Sequence, residues 1–226
     1  NNKFPLGTSK RGLSSKEIQK QLGVKRYAPI WAMVHKLRKA MGTRDERYTL
    51  EGMIELDEGY FTVESSEIEQ EKGVRGRGAA GKQNVAVMAE SVPLENLETG
   101  EKSKSCRYFK AKVLETHLSL EINETVKESI DNQSIVFTDK STSYVDISDF
   151  VELHVTEKSD KQTTNETLKW VHITISNAKR NLLGNYHKIK RKYLQLYLNE
   201  FIYKLNRRYF GDKLFERLII ANITAV

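Results

Sequence analysis

The sequence holds a single cysteine, Cys106, among 226 residues. One thiol excludes an internal disulfide framework and any cysteine-based zinc site within these residues, so the core carries stability unaided. Long apolar runs are also missing. None approaches the ~20 residues of a membrane span, and no cationic start followed by an apolar stretch marks a secretory signal. A cytoplasmic protein with no membrane partner is expected. Internal repeats and low-complexity tracts are absent. The chain opens on Asn1 and not on Met, which suggests a fragment with an upstream segment missing.

The residues present, 38% hydrophobic and 30% charged, suffice for one sizeable core plus a small accessory module. The net charge of +7 is unevenly spread. Residues 1–48 carry +9, residues 49–164 carry −10 and residues 165–226 carry +8. Basic ends around an acidic middle suit a protein that grips a polyanion with its flanks and holds cations at its centre, because phosphates attract Lys and Arg whereas Mg²⁺ needs carboxylates. Solvated basic helix faces would give the same count.

Ser14 and Glu17 are spaced for a capping box, with Leu13 placed to pack on Ile18, and this predicts a helix to about Leu22. Gly23 supplies a turn. Ile30, Val34, Leu37 and Met41 then mark one face of a second helix from about Tyr27 to Met41. Helix, short turn, helix, with Lys25, Arg26, Lys36, Arg38 and Lys39 on the polar side, fits a helix-turn-helix DNA-binding unit. His35, Trp31 and Met33 read as packing residues.

From about Thr49 the period changes. Met53–Val63, Asn84–Glu90 and Ser103–Phe109 are expected as three strands in a meander, with a glycine-rich basic loop, Lys72–Lys82, between the first two. A helix is expected over Lys112–Ile130. Ile135–Thr138 has the form of a buried central strand ending at Asp139. A turn or short helix at Ser141–Tyr144, a strand at Val151–Val155 and helices over about Thr167–Leu183 and Lys190–Arg208 complete the order. The expected fold is α/β, a mixed five-stranded sheet with flanking helices. A helix-turn-helix-like module (1–48) precedes a second domain with C-terminal helices (49–226).

Asp57 falls within the first strand and Asp139 at the end of the fourth, so the carboxylates converge if those strands are neighbours. The helix after the fifth strand carries His172 and Lys179, two turns apart on one face. Phosphoryl-transfer nucleases of ribonuclease-H-like fold use this layout, with acidic groups holding Mg²⁺ ions that act on the attacking and leaving oxygens of a DNA phosphate.

At these residues the chain resembles a known family. Ile54-Glu55-Leu56-Asp57-Glu58-Gly59-Tyr60 resembles the motif around the first catalytic aspartate of bacterial insertion-sequence transposases of the ISXO-two-like, or fifteen-ninety-five, family. Gly76-Arg77-Gly78 through Gly81-Lys82 is similar to a second block. Lys179-Arg180 with Gly184-Asn185-Tyr186-His187 is similar to a third, and Tyr197-Leu198-Asn199-Glu200-Phe201 with Asn206-Arg207-Arg208 to the last. The resemblance implies a DDE-type transposase that cuts DNA at transposon ends and joins the freed 3′ hydroxyl to target DNA. By the same resemblance Asp57 and Asp139 take the two aspartate positions. Counting back from Lys179 puts His172 at the third, where DDE enzymes generally have glutamate.

Asp57, Asp139 and His172 are then the expected ligands of Mg²⁺ or Mn²⁺, two ions, although imidazole is a softer ligand than Mg²⁺ prefers. Glu166 and Asn177 are the alternatives for the third position. Lys179 is expected as a phosphate clamp, and Lys25, Arg26, Arg75, Arg77, Lys82 and Arg180 as further DNA contacts. Full-length relatives begin with a cysteine-rich zinc ribbon, so zinc is expected only upstream of Asn1. DNA as partner, a homodimer on paired ends and a nucleoid-associated location are further implications. Two other functions compete: a helix-turn-helix regulator, and a degenerate transposase that binds DNA without cutting it.

Overall fold

The computed structural model describes residues 12–64, 81–95, 99–100, 102–116, 118–158, 166–186 and 188–224. The chain divides into two compact units, Tyr48–Asn177 on one side and Asn1–Arg47 with Ala178–Val226 on the other. Among the described residues no helix is long and apolar enough to cross a membrane.

The second of these units is helical. Helix α1 (Ser15–Leu22) starts where Ser14, in extended conformation, accepts the Glu17 amide on its hydroxyl at 3.2 Å, a capping bond that satisfies one of the orphan N–H groups of the first turn. It stops at Gly23, whose φ of 65° places it in the left-handed region that a side chain would disfavour. The Gln19 side-chain amide donates to the carbonyls of Val24 and Lys25 at 3.0 and 3.1 Å and fixes the turn. Helix α2 (Tyr27–Glu46) continues five residues past the expected end at Met41. Ile18, Ile30, Val34 and Met41 are buried against Tyr203, Leu218 and Ala221 of helices α5 (Leu194–Asn206) and α6 (Leu214–Thr224).

One expectation for α2 fails. Arg38 does not join the polar face; it is fully buried. Its Nε donates to Glu200 at 2.8 Å and its Nη2 to the Tyr186 hydroxyl at 2.9 Å, while Tyr197 lies beneath the guanidinium at 4.0 Å. Lys204 binds the other Glu200 oxygen at 2.7 Å. Arg38 lies one residue from Leu37 and four from Val34, so it sits at the edge of the apolar stripe, and a guanidinium tolerates burial when its fork is filled and an aromatic face covers it. A second tie joins Asp45 to Arg207 at 2.6 Å and to Asn206 at 3.2 Å. The motif residues Tyr186, Tyr197, Glu200, Asn206 and Arg207 all serve these two contacts.

The other unit is built on a five-stranded sheet of order β3-β2-β1-β4-β5. Its strands are β1 (Met53–Thr62), β2 (Lys82–Glu95), β3 (Lys102–Leu114), β4 (Ile135–Asp139) and β5 (Leu153–Glu157). The first three form an antiparallel meander, and β4 and β5 run parallel to β1. This mixed sheet with flanking helices is the ribonuclease-H-like α/β arrangement the sequence predicts. The third strand reaches Leu114, with Lys112 paired to Ala86, so the next helix, α3 (Ser119–Ser129), starts later than Lys112. The reason is local: Lys110-Ala111-Lys112-Val113 alternates with the period of a strand, not of a helix.

The two faces of β1 differ. Ile54 and Leu56 turn into a core with Ala86, Met88, Ile122, Val126, Val136 and Tyr144. The odd-numbered residues Glu55, Asp57 and Gly59 face helix α4 (Lys169–Asn185), because successive side chains of a strand point to opposite faces.

Candidate active site

Asp57 lies on β1 opposite Val87 of β2. On its other side, the parallel register with β4 pairs Glu55 with Phe137. Two residues further along each strand, just past the last paired residues, stand Asp57 and Asp139, on one face of these adjacent strands. Each carboxylate is oriented locally. Asp57 Oδ1 accepts the Glu58 amide at 2.7 Å, and Asp139 Oδ1 accepts the Ser141 amide at 3.1 Å where the chain turns out of the sheet.

Helix α4 brings His172 to the same place, its Nδ1 3.7 Å from Asp57 Oδ2. Burial holds the imidazole below its ordinary pKa and the charge of Asp139 pulls the other way. The net shift is downward, so the ring is neutral at pH 7 and offers nitrogen lone-pair density. Glu55, fully buried, accepts the amides of Trp170 and Val171 at 2.7 and 3.2 Å on one oxygen. Burial lifts its pKa to about 7 against the lowering effect of those two amides. On the opposite face of β1, Tyr144 is buried with Asp57, Glu58 and Asp139 around it; burial first, then those three charges, raises its pKa.

The alternatives for the third position are Glu166 and Asn177. Glu166 lines a pocket of about 670 Å³ with Pro93, Leu94, Glu95, Ser103, Lys104 and Lys169, six or more residues along β2 from the Val87 that faces Asp57. Asn177 follows His172 by five residues, roughly 140° around the helix. Lys179 follows His172 on α4 by seven residues, and Arg180 is exposed beside it. Lys25 and Arg26 are exposed at the α1–α2 turn. Lys82 is exposed at the start of β2, its Nζ 3.2 Å from the Thr62 hydroxyl. Arg75, Arg77 and His187 lie outside the described residues. His154 bonds Thr138 at 2.8 Å across β4 and β5, a structural contact.

The family model of the ISXO2-like transposase domain matches residues 49–206, well over half of the chain. The chain belongs to this transposase family. No curated protein matches it. An ISXO2-like transposase acts on DNA, and enzymes of the DDE class generally use divalent metal ions.

Whether the residues suit such an ion can be judged from the donors. Among the described residues no group of three or more His, Cys, Asp or Glu forms a metal cage. Magnesium seldom needs one: it is commonly held by one or two carboxylates, with water and substrate phosphate filling the remaining positions. Two backbone-oriented aspartates on adjacent strands suit a hard divalent cation. The neutral His172 beside Asp57 would be a softer donor. The candidate site also takes in Glu55 and Gly59, to which sequence reasoning gave no role, and Tyr144 lies behind it on the other face of β1. The first two lie inside the motif around Asp57, and the period-two pattern already put them on its face.

Proposed function

We propose that this domain cuts DNA at transposon ends and transfers the freed strand into target DNA, with Asp57, Asp139 and His172 forming the reacting centre. The observation that carries this reading is the β1–β4 register, which supports Asp57 and Asp139 as a side-by-side pair at the level of His172. In the proposal the two aspartates hold Mg²⁺ or Mn²⁺, two ions with His172 at their edge; once bound, these ions activate the attacking oxygen and stabilise the leaving one.

The protein's own part is positioning and charge. Backbone amides of Glu58 and Ser141 each hold one carboxylate in place, which lowers the reorganisation needed when the phosphate arrives. His172, neutral, can accept a proton from the attacking water or hydroxyl within reach of Asp57. Lys179 is the proposed phosphate clamp. Lys25, Arg26, Arg75, Arg77, Lys82 and Arg180 are proposed DNA contacts. Residues 1–48 are proposed as the helix-turn-helix-like module and 49–226 as the catalytic domain with its C-terminal helices, acting as a homodimer on paired ends.

The deciding experiment compares wild type with Asp139→Ala for Mn²⁺-dependent nicking of supercoiled DNA and, separately, for DNA binding. Nicking is expected to disappear while salt-sensitive binding stays. Equal residual nicking in both proteins sinks the enzymatic assignment and leaves a DNA-binding regulator.

A further inference from the structure

We infer that Glu55 and Gly59 are positioning residues that seat helix α4 on strand β1 and thereby place His172 beside Asp57; the inference rests on the reading of those two residues as part of the reacting centre. Three successive outward residues of β1 meet three successive stations of α4. Glu55 takes the amides of Trp170 and Val171. Asp57 faces His172 at 3.7 Å. A methyl group added at Gly59 would stand 3.0 Å from Ile175 Cγ2 and 3.1 Å from the Phe61 ring. Strand and helix thus touch at 55 with 170–171, at 57 with 172 and at 59 with 175.

Each outer contact does something the middle one cannot. Trp170 and Val171 are the second and third residues of α4, where amides have no partner one turn earlier in the helix. The next amide, of His172, already donates to Leu168 at 3.2 Å. Glu55 therefore fixes where the helix starts and how it is rotated, one residue before His172. Its cost is evident: the side chain is fully buried and, among the described residues, its Oε1 has no hydrogen-bond partner. A carboxylate in such a place is retained for what it holds, since a buried, half-satisfied acid is a poor source of stability. Gly59 sets the height of the helix at the other end. Its φ is not positive, so glycine is required there for close approach and not for backbone freedom. With only the Asp57–His172 contact, α4 could rock about that point.

The test uses the full chain labelled with ¹⁵N-histidine, without metal or DNA, in Glu55→Leu, Glu55→Gln and Gly59→Ala. His172 ring resonances are assigned by their loss in His172→Gln, and His154, bonded to Thr138 on the far side of the sheet, reports that the sheet is intact. Glu55→Leu is expected to shift His172 and leave His154 in place. Its Mn²⁺-dependent plasmid nicking should fall about 100-fold, the size of effect that an ångström-scale misplacement produces. Glu55→Gln keeps a carbonyl acceptor for the two amides and should recover most of both signals. Gly59→Ala should shift His172 and lower nicking by about tenfold, a few tenths of an ångström being a smaller error.

Unmoved His172 resonances in Glu55→Leu overturn the inference, as does a Gln variant as damaging as Leu with His154 unchanged. If Glu55→Leu disturbs His154 as well, Gly59→Ala decides in the same way. Wild type that never nicks DNA counts against the transposase activity, while the ring resonances still judge the seating of the helix.

Discussion

Both units bury charge, and they treat it in opposite ways. In the helical unit the buried Arg38 has a carboxylate, a phenol and an aromatic face, and Glu200 has Arg38 and Lys204. In the sheet unit the acids are held by neutral donors instead: Asp57 faces His172, Glu58 bonds the Asn84 amide, and Glu55 takes two backbone amides on one oxygen while its other oxygen has no hydrogen-bond partner among the described residues. A network of closed ion pairs specifies packing, whereas carboxylates held by neutral donors keep their charge available to a cation from outside. The difference separates residues that hold the fold from residues proposed to do chemistry, although both kinds occur in the sequence motifs of one family.

The sharpest way to break that contrast is to neutralise one acid. Asp57→Asn is expected to lower Mn²⁺-dependent nicking at least about 1,000-fold, the scale seen when one member of a catalytic set is removed. Stability should stay level or rise, because one of two adjacent like charges has gone. A stability loss that accounts for the missing activity would put Asp57 with the structural residues.

The reverse experiment removes Arg38. Arg38→Met leaves Glu200 buried beside Lys204 alone and should cost the helical unit about 3–5 kcal/mol, the usual penalty for orphaning one partner of a buried pair. Arg38→Met with Glu200→Leu should recover much of it. The two tryptophans lie in different units, Trp31 in the helical one and Trp170 in the sheet. Denaturant unfolding followed by fluorescence in a Trp170→Phe background therefore reads the helical unit by itself. A double variant as unstable as the single one would show that the pair contributes more than mutual neutralisation.

His35 gives a smaller effect with a defined pH window. Burial, then the neighbouring Arg38, pushes its pKa down to about 4 against the pull of Glu200, and its Nδ1 lies 3.2 Å from an Arg38 nitrogen, which can only donate. The folded state keeps the ring neutral and the unfolded chain protonates it near 6.5. Unfolding therefore takes up a proton, and stability falls as pH drops from about 6.5 to about 4. Glu200, whose pKa is lowered by Lys204 and Arg38 despite the opposing effect of burial, adds its own loss only below the ordinary carboxylate range. His35→Phe should reduce the slope above pH 5 by the share of one histidine, leaving that of His154 and His172, which burial also holds low, the opposing one of Glu55, and the acid limb. An unchanged slope would locate the proton uptake elsewhere.

Much of this was legible in the sequence. Period-two runs and their turns gave the succession of strands along the chain, and the pairing of β1 with β4 meets the condition on which Asp57 and Asp139 were expected to converge. Arg38 was misjudged because helical period separates faces but not edges, and a long cation at the edge of a stripe goes inward only if distant residues such as Glu200 and Tyr197 fill its fork. The length of β3 was underestimated because its lysines resemble a helix face by composition, while their alternation depends on pairing with β2. Glu55 and Gly59 had no assigned role for a similar reason: each acts on α4 across more than a hundred residues, and nothing local reveals that partner.

The least drastic test concerns basic residues at the other extreme of burial. Lys25 and Arg26 are exposed at the tight turn that Gln19 holds between α1 and α2, so their loss should cost almost no stability. If each neutralises one phosphate, Lys25→Ala with Arg26→Ala should lower the slope of log K against log salt by about 2, at ~0.9 per phosphate on duplex DNA. Glu200→Gln, which alters charge in the same unit but inside it, serves as the control: its slope should match wild type wherever it remains folded. A fluorescence-anisotropy titration across salt concentrations measures both. Equal slopes in all three proteins would remove the α1–α2 turn from the DNA interface and assign the binding to the other proposed basic contacts.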